Sequence, residues 1–143
     1  MNLDRRAFLG MAAGLTAAAA LPGCASVAAL PVVPRDGAVR LSLAEHPQLR
    51  APGGHLRLRL PERGAEIYVL GQPDGEFAAL SPICTHLGCT VDVAGAHLVC
   101  PCHGSTYDRQ GRVLRGPAER ALRRFATSVT PGGDLVIRVE EDR

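Results

Sequence analysis

The chain has no tryptophan, two tyrosines and three phenylalanines, so the core it builds must be aliphatic and small. Lysine is missing too: all 16 basic residues are arginine, a bias of composition that selects no function. An excess of either charge is equally absent. The net balance is +2 with both signs scattered, which leaves no electrostatic footprint for nucleic acid as a partner. No internal repeat of solenoid length is present. The abundance of 16 glycines and 11 prolines favours short strands and turns over long helices. A length of 143 residues suits one domain with a single core.

Charge is absent altogether from Ala7 to Val33, a stretch that follows Leu3-Asp4-Arg5-Arg6-Ala7-Phe8-Leu9. An arginine pair ahead of a hydrophobic segment resembles a twin-arginine export signal, an address for cargo that folds before it crosses a membrane. Leu21-Pro22-Gly23-Cys24 resembles a lipoprotein processing site, with Cys24 as the lipidation candidate. Two other readings compete: an uncleaved membrane helix, which the stretch is long enough to form but which Pro22-Gly23 would kink, and simple cleavage. All three place the remainder outside the cytoplasm. Residues 1–24 are therefore signal or anchor, 25–37 a proline-containing tether, and 38–143 the folded domain.

The folded domain reads as all-β. Leu56-Arg57-Leu58-Arg59-Leu60 alternates as a half-buried strand should. Glu66 to Leu70 and Glu76 to Leu80 flank Gln72-Pro73-Asp74-Gly75, and Phe125 to Val129 and Leu135 to Val139 flank Pro131-Gly132-Gly133-Asp134, so two hairpins are expected. Between them, at about residues 82–118, lies a loop-rich insertion holding four of the five cysteines.

Its motifs are Cys84-Thr85-His86-Leu87-Gly88-Cys89 and Cys100-Pro101-Cys102-His103-Gly104-Ser105-Thr106-Tyr107, with ten residues between Cys89 and Cys100. That spacer allows an out-and-back β excursion through Val91, Val93, Leu98 and Val99, which brings two loops, each offering Cys and His, face to face. Thiolate and imidazole donors suit zinc as well as an iron–sulfur cluster. A structural zinc module would use four ligands and give Ser105 and Tyr107 no role.

Here the sequence resembles the Rieske [2Fe–2S] family, over roughly residues 65–140. The resemblance implies an antiparallel β sandwich or barrel base with a small cluster-binding subdomain. It implies Cys84 and Cys100 on one iron, and His86 and His103 on the other, where replacing thiolates by imidazoles raises the potential. It further implies a disulfide between Cys89 and Cys102, worth about 3 kcal/mol in the chain-entropy model and compatible with an exported protein. In the high-potential members Ser105 and Tyr107 would donate hydrogen bonds to cluster sulfurs, which also raises the potential. Gly116-Pro117-Ala118 matches a loop that shields the cluster, with Glu119 where many members carry a second proline. Leu87 is expected to point outward and dock.

The function implied is electron transfer through one [2Fe–2S] cluster in a membrane-anchored subunit of a quinol–cytochrome c-type oxidoreductase. The partners would be a quinol-oxidising cytochrome b-type or oxidase subunit and a c-type cytochrome or copper protein as acceptor. Competing readings are a stand-alone Rieske lipoprotein, the small subunit of a periplasmic molybdenum oxidase, and an oxygenase component. No separate catalytic residue is expected. His46, His55 and His97 are read as solvated, and Arg120, Arg123 and Arg124 as a wet face that could steer an acidic partner.

Overall fold

The structure, a computed structural model, describes residues 28–139. Arg5, Arg6 and Cys24 fall outside the described residues. Twelve strands follow in order: β1 (Leu30–Pro31), β2 (Ala38–Ser42), β3 (His55–Leu60), β4 (Ala65–Gly71), β5 (Phe77–Leu80), β6 (Asp92–Ala94), β7 (His97–Val99), β8 (Thr106–Asp108), β9 (Val113–Arg115), β10 (Arg124–Phe125), β11 (Thr127–Val129) and β12 (Asp134–Arg138). They form sheets in the orders β1-β3-β4-β5-β10, β11-β12-β2 and β6-β7-β8-β9. The first two sheets make the base; the third is the insertion. Among the described residues no helix is long and apolar enough to cross a membrane.

The base follows from alternation. On β3, Leu56, Leu58 and Leu60 enter a core with Val39, Leu41, Leu135 and Ile137 from the facing sheet. Arg57 and Arg59 take the other face, where Arg57 pairs with Glu66 at 2.6 Å. β4 and β5 are buried on both faces, which explains their nearly unbroken apolar runs. Ile67, Val69, Phe77 and Ala79 join the base core. Tyr68, Leu70, Ala78 and Leu80 join a second core with Val91, Leu98, Tyr107 and Leu122. The expected Gln72–Gly75 turn closes β4 onto β5, with the Gln72 amide donating to Glu76 at 2.9 Å.

Three expectations need correction. The core is not single, because β4 and β5 divide it into two clusters. Phe125 to Val129 is not one strand: Arg124–Phe125 pairs with β5, whereas Thr127–Val129 pairs with β12. The chain changes sheets at Ala126, a corner that sandwich packing requires and that single-strand patterning cannot reveal. The stretch read as a tether is also partly stitched down. Leu30–Pro31 pairs in parallel with Leu58–Arg59, the Val32 amide donates to Arg59 at 2.9 Å, and Leu30 and Val32 pack on the base core. An edge strand tolerates Pro31 because only one of its sides needs donors.

Three side chains fix the insertion to the base: the Gln72 amide side chain of the β4–β5 turn donates to the Arg109 carbonyl at 3.1 Å, and Tyr68 and Arg109 supply the other contacts. The buried Tyr68 hydroxyl donates to the Val91 carbonyl at 2.9 Å. Arg109 donates to Gly95 in the β6–β7 turn at 2.9 Å, and to Gly54 and Gly71 of the base at 2.6 and 3.2 Å. Its guanidinium meets carbonyls alone, and desolvation lowers its pKa.

Candidate metal centre

The two cysteine loops fold as the same turn. In the first, the Cys84 amide donates to Cys89 at 2.7 Å and the Gly88 amide to Cys84 at 2.9 Å. In the second, the Cys100 amide donates to Ser105 at 2.8 Å and the Gly104 amide to Cys100 at 3.0 Å. Each turn needs a left-handed residue at its fourth step, and Gly88 (φ 82°) and Gly104 (φ 74°) supply it. β6 and β7 form the expected out-and-back excursion, which sets the turns side by side.

Each turn therefore opens on a buried cysteine: Cys84 and Cys100 are both free thiols at 2% exposure. His86 and His103 approach edge to face, their ring centroids 4.8 Å apart. His103 is exposed and His86 half-buried. Cys89 and Cys102 form a disulfide that ties one turn to the other. The sulfurs of Cys89, Cys100 and Cys102 lie within 4.8 Å of one another, but the bonded pair cannot serve as thiolate ligands.

Second-layer groups converge on Cys84. The fully buried Tyr107 hydroxyl lies 3.3 Å from its sulfur. The same oxygen accepts from the Thr85 amide at 3.2 Å and lies 3.1 Å from the Thr85 hydroxyl, which itself donates to the Arg120 carbonyl at 2.6 Å. Ser105, also fully buried, accepts from the Ala118 amide at 3.1 Å, so its own proton stays available. Burial pushes the Cys84 thiol up. The hydrogen bonds from Tyr107, the His86 backbone, Cys100 and Ser105 outweigh that and hold it below its ordinary range. Burial and the contact with Cys84 push the Tyr107 phenol up, so it stays a donor.

Segment 116–118 lies against the second turn: a Cβ on Gly116 would meet the Ser105 Cα at 2.5 Å. Glycine is required there by close approach as well as by its φ of 104°. Pro117 is exposed beside it, and Leu87 is 69% exposed. His97 is exposed, but His46 and His55 are half-buried, against the expectation that all three are solvated. Thr85, Tyr68 and Arg109 were not singled out in the sequence. Tyr68 could have been, from the alternation of β4; the partners of Thr85 and Arg109 are non-local carbonyls with no sequence signal.

These residues fit a metal group. Two buried thiols, one below its ordinary pKa, supply thiolate donors. Nδ1 of His86 is buried with no hydrogen-bond partner, as an imidazole nitrogen aimed at a metal would be.

Comparisons agree with this chemistry. A family model described as the Rieske [2Fe–2S] domain matches residues 42–126. The iron–sulfur subunit of the cytochrome b6-f complex of Synechococcus elongatus is 42% identical over 78 residues, covering 52% of this chain and 43% of that protein. The chloroplastic iron-sulfur subunit 1 from Nicotiana tabacum is 43% identical over 75 residues, covering 50% and 33%. The chain thus matches less than half the length of these curated relatives. The solved plasma membrane Rieske protein PetC3 from Synechocystis PCC 6803 is 34% identical with a TM-score of 0.56, covering 69% of this chain and 97% of that one. A carbazole 1,9a-dioxygenase component shares the fold, at 21% identity and a TM-score of 0.59.

Proposed function

The chain belongs to the Rieske [2Fe–2S] family, and from that premise we propose that Cys84 and Cys100 hold one iron of the cluster and His86 and His103 the other. The observation that carries this assignment is the pair of matching turns, each opening on a buried free thiol and together setting two imidazoles edge to face at 4.8 Å. When bound, the cluster supplies one-electron chemistry, at a potential raised by its imidazole ligands. Tyr107 and Ser105 present hydroxyl protons to the sulfur side. The Cys89–Cys102 disulfide holds the two turns in register, and segment 116–118 excludes water from the second. The exposed His103 puts an imidazole edge at the surface, where a hydrogen-bonding donor such as a quinol can reach it.

We further propose that the protein is a membrane-anchored electron carrier on the extracytoplasmic side, exported by the twin-arginine route and held through Cys24. It would work as a subunit of a quinol–cytochrome c-type oxidoreductase, with a c-type cytochrome or copper protein as acceptor. Identity to cytochrome b6-f subunits supports the quinol assignment. A stand-alone membrane Rieske protein is the second reading, favoured by the 97% coverage of PetC3.

Iron, acid-labile sulfide and visible absorption test the ligand set. Cys84→Ser, His86→Ala, Cys100→Ser and His103→Ala each abolish the cluster, since no spare ligand stands in place. Full iron and sulfide in any one of them overturns the assignment, and a colourless native protein holding zinc overturns the family chemistry.

A further inference from the structure

Arg109 is a partly buried charge without a counter-charge, whereas buried charges are ordinarily paired. Backbone carbonyls take three of its N–H donors, its Nε is buried with no partner, and no carboxylate pairs with it among the described residues. It borders a cleft of about 580 Å³ where the base meets the insertion, between residues 50–53, residues 71–73 at the end of β4, and residues 95–96 between β6 and β7. Arg50 is the second cation of this lining, exposed and in no ion pair among the described residues. The lining holds no acid, and much of the remaining wall is small and apolar, at Pro52, Pro73 and Ala96. The acids next to it in sequence are engaged elsewhere: Asp74 accepts the Glu76 amide at 3.0 Å, and Asp108 pairs with Arg112 at 2.7 Å.

Strand register places this cleft at the end of the molecule opposite the cysteine turns. β3 starts at His55 beside Leu70, and β4 reaches Gly71 beside Phe77. β5 then runs the other way and leaves the sheet from Leu80 toward Cys84. In the insertion, the β6–β7 turn lies at the end of the sheet away from the 100–105 turn. The N-terminal side of the chain arrives at the cleft end. β1 is parallel to β3, with Leu30 opposite Leu58, so the residues before Leu30 come from the His55 end. Cys24 precedes Leu30 by six residues, which span at most about 20 Å when fully extended. A lipid on Cys24 would hold the cleft end of the base close to the bilayer.

We propose that the cleft between Arg50 and Arg109 seats the base on the bilayer by taking the phosphate of an anionic phospholipid headgroup. The inference rests on the reading that Cys24 anchors the chain, and adds where the folded domain touches the membrane. Guanidinium groups bind phosphate through charge-assisted hydrogen bonds. Each arginine held within a Debye length of an anionic leaflet favours the seated pose about fivefold. Seated this way, the metal turns point away from the bilayer, as a stand-alone carrier that meets a soluble acceptor requires.

The test uses the full-length, cluster-loaded protein on vesicles of phosphatidylcholine alone or mixed with phosphatidylglycerol, read by hydrogen exchange with mass analysis. On the mixed vesicles the amides of residues 50–54 and 95–97 exchange about fivefold or more slowly than on phosphatidylcholine, and those of Leu87 and Leu114 do not change. Arg50→Glu, and separately Ala96→Asp, which sets an acid in the cleft, remove that protection while iron, sulfide and spectrum stay intact. Arg115→Glu, the same charge change at the metal end, keeps it. Equal exchange on the two kinds of vesicle overturns the proposal, as does protection that survives Arg50→Glu. So does the same protection from inorganic phosphate without vesicles, since the cleft would then be a site for a small free anion. Failure of the anchoring reading shows separately, as a protein that does not float with phosphatidylcholine vesicles at all.

Discussion

Replacing Tyr107 by Phe removes one oxygen from the interior and should lower the reduction potential by an amount that the local proton count bounds. Thr85 has a single hydroxyl proton, and the Arg120 carbonyl at 2.6 Å, a pure acceptor, takes it. Thr85 can then only accept from Tyr107 across their 3.1 Å contact. The phenol proton is therefore shared between Thr85 and the Cys84 sulfur at 3.3 Å. A hydrogen bond to a charged group contributes about 1.5–3 kcal/mol when undivided; a shared one belongs at or below the lower end, about 1–1.5 kcal/mol. Only the part that strengthens on reduction moves the potential. At 59 mV per tenfold change for one electron, the expected fall is at most roughly 40–65 mV. Ser105→Ala should act in the same direction, because the Ser105 oxygen accepts from Ala118 and its proton remains free for the sulfur side. Protein-film voltammetry on both variants, with the visible spectrum as a check on cluster integrity, reads the shift. Unchanged potentials in two intact variants would refute the reasoning, since neither hydroxyl could then be donating to the cluster's sulfurs.

Cys89→Ser or Cys102→Ser should lower stability by about 3 kcal/mol, from a loop of 13 residues in the chain-entropy model, and shorten cluster lifetime without removing an iron ligand; two free thiols by mass analysis of the native oxidised protein would contradict the pairing. Asp108 accepts from the amides of Gln110 and Arg112 and from the Arg112 guanidinium, and although burial raises its pKa, these bonds hold it below the usual carboxylate range. A depressed folded-state pKa contributes stability above the unfolded value of about 4 and loses it as the pH falls through the folded value. Asp108→Asn should therefore be less stable than the native chain at neutral pH, with the gap in urea midpoint closing in acid; a gap that widens there would contradict the sign. Replacing Arg5-Arg6 by Lys-Lys should leave the precursor in the cytoplasm, and Cys24→Ala should block lipidation and processing, both read by fractionation and mass analysis.

What was legible in the sequence was local. The strict alternation of Leu56 to Leu60, the turn chemistry of Gln72 to Gly75 and the two Cys/His motifs each state their geometry within a few residues. The sheet change at Ala126 was not legible, because β10 and β11 both carry ordinary strand patterning and only the facing sheet decides where one ends. The pairing of Leu30 with Leu58 was hidden for a related reason: a two-residue edge strand next to proline has no periodicity to read. Arg109 looks in sequence like any surface arginine, and its three carbonyl acceptors come from turns far away along the chain. The contact of Tyr107 with Cys84 was available through the family resemblance, but its competition with Thr85 depends on where the Arg120 carbonyl falls, which no motif encodes.

The two-faced burial of β4 and β5 means that the redox centre has no foldable unit of its own. Ile67 and Val69 point into one room and Tyr68 and Leu70 into the next, so the strands are a party wall. A cavity cut on either side weakens the same backbone, and local opening that frees the metal turns must disturb the wall both rooms share. Bleaching of the cluster and melting of the base should therefore trace a single transition on heating, and a lesion in the base core, such as Val69→Ala, should shorten the lifetime of the colour.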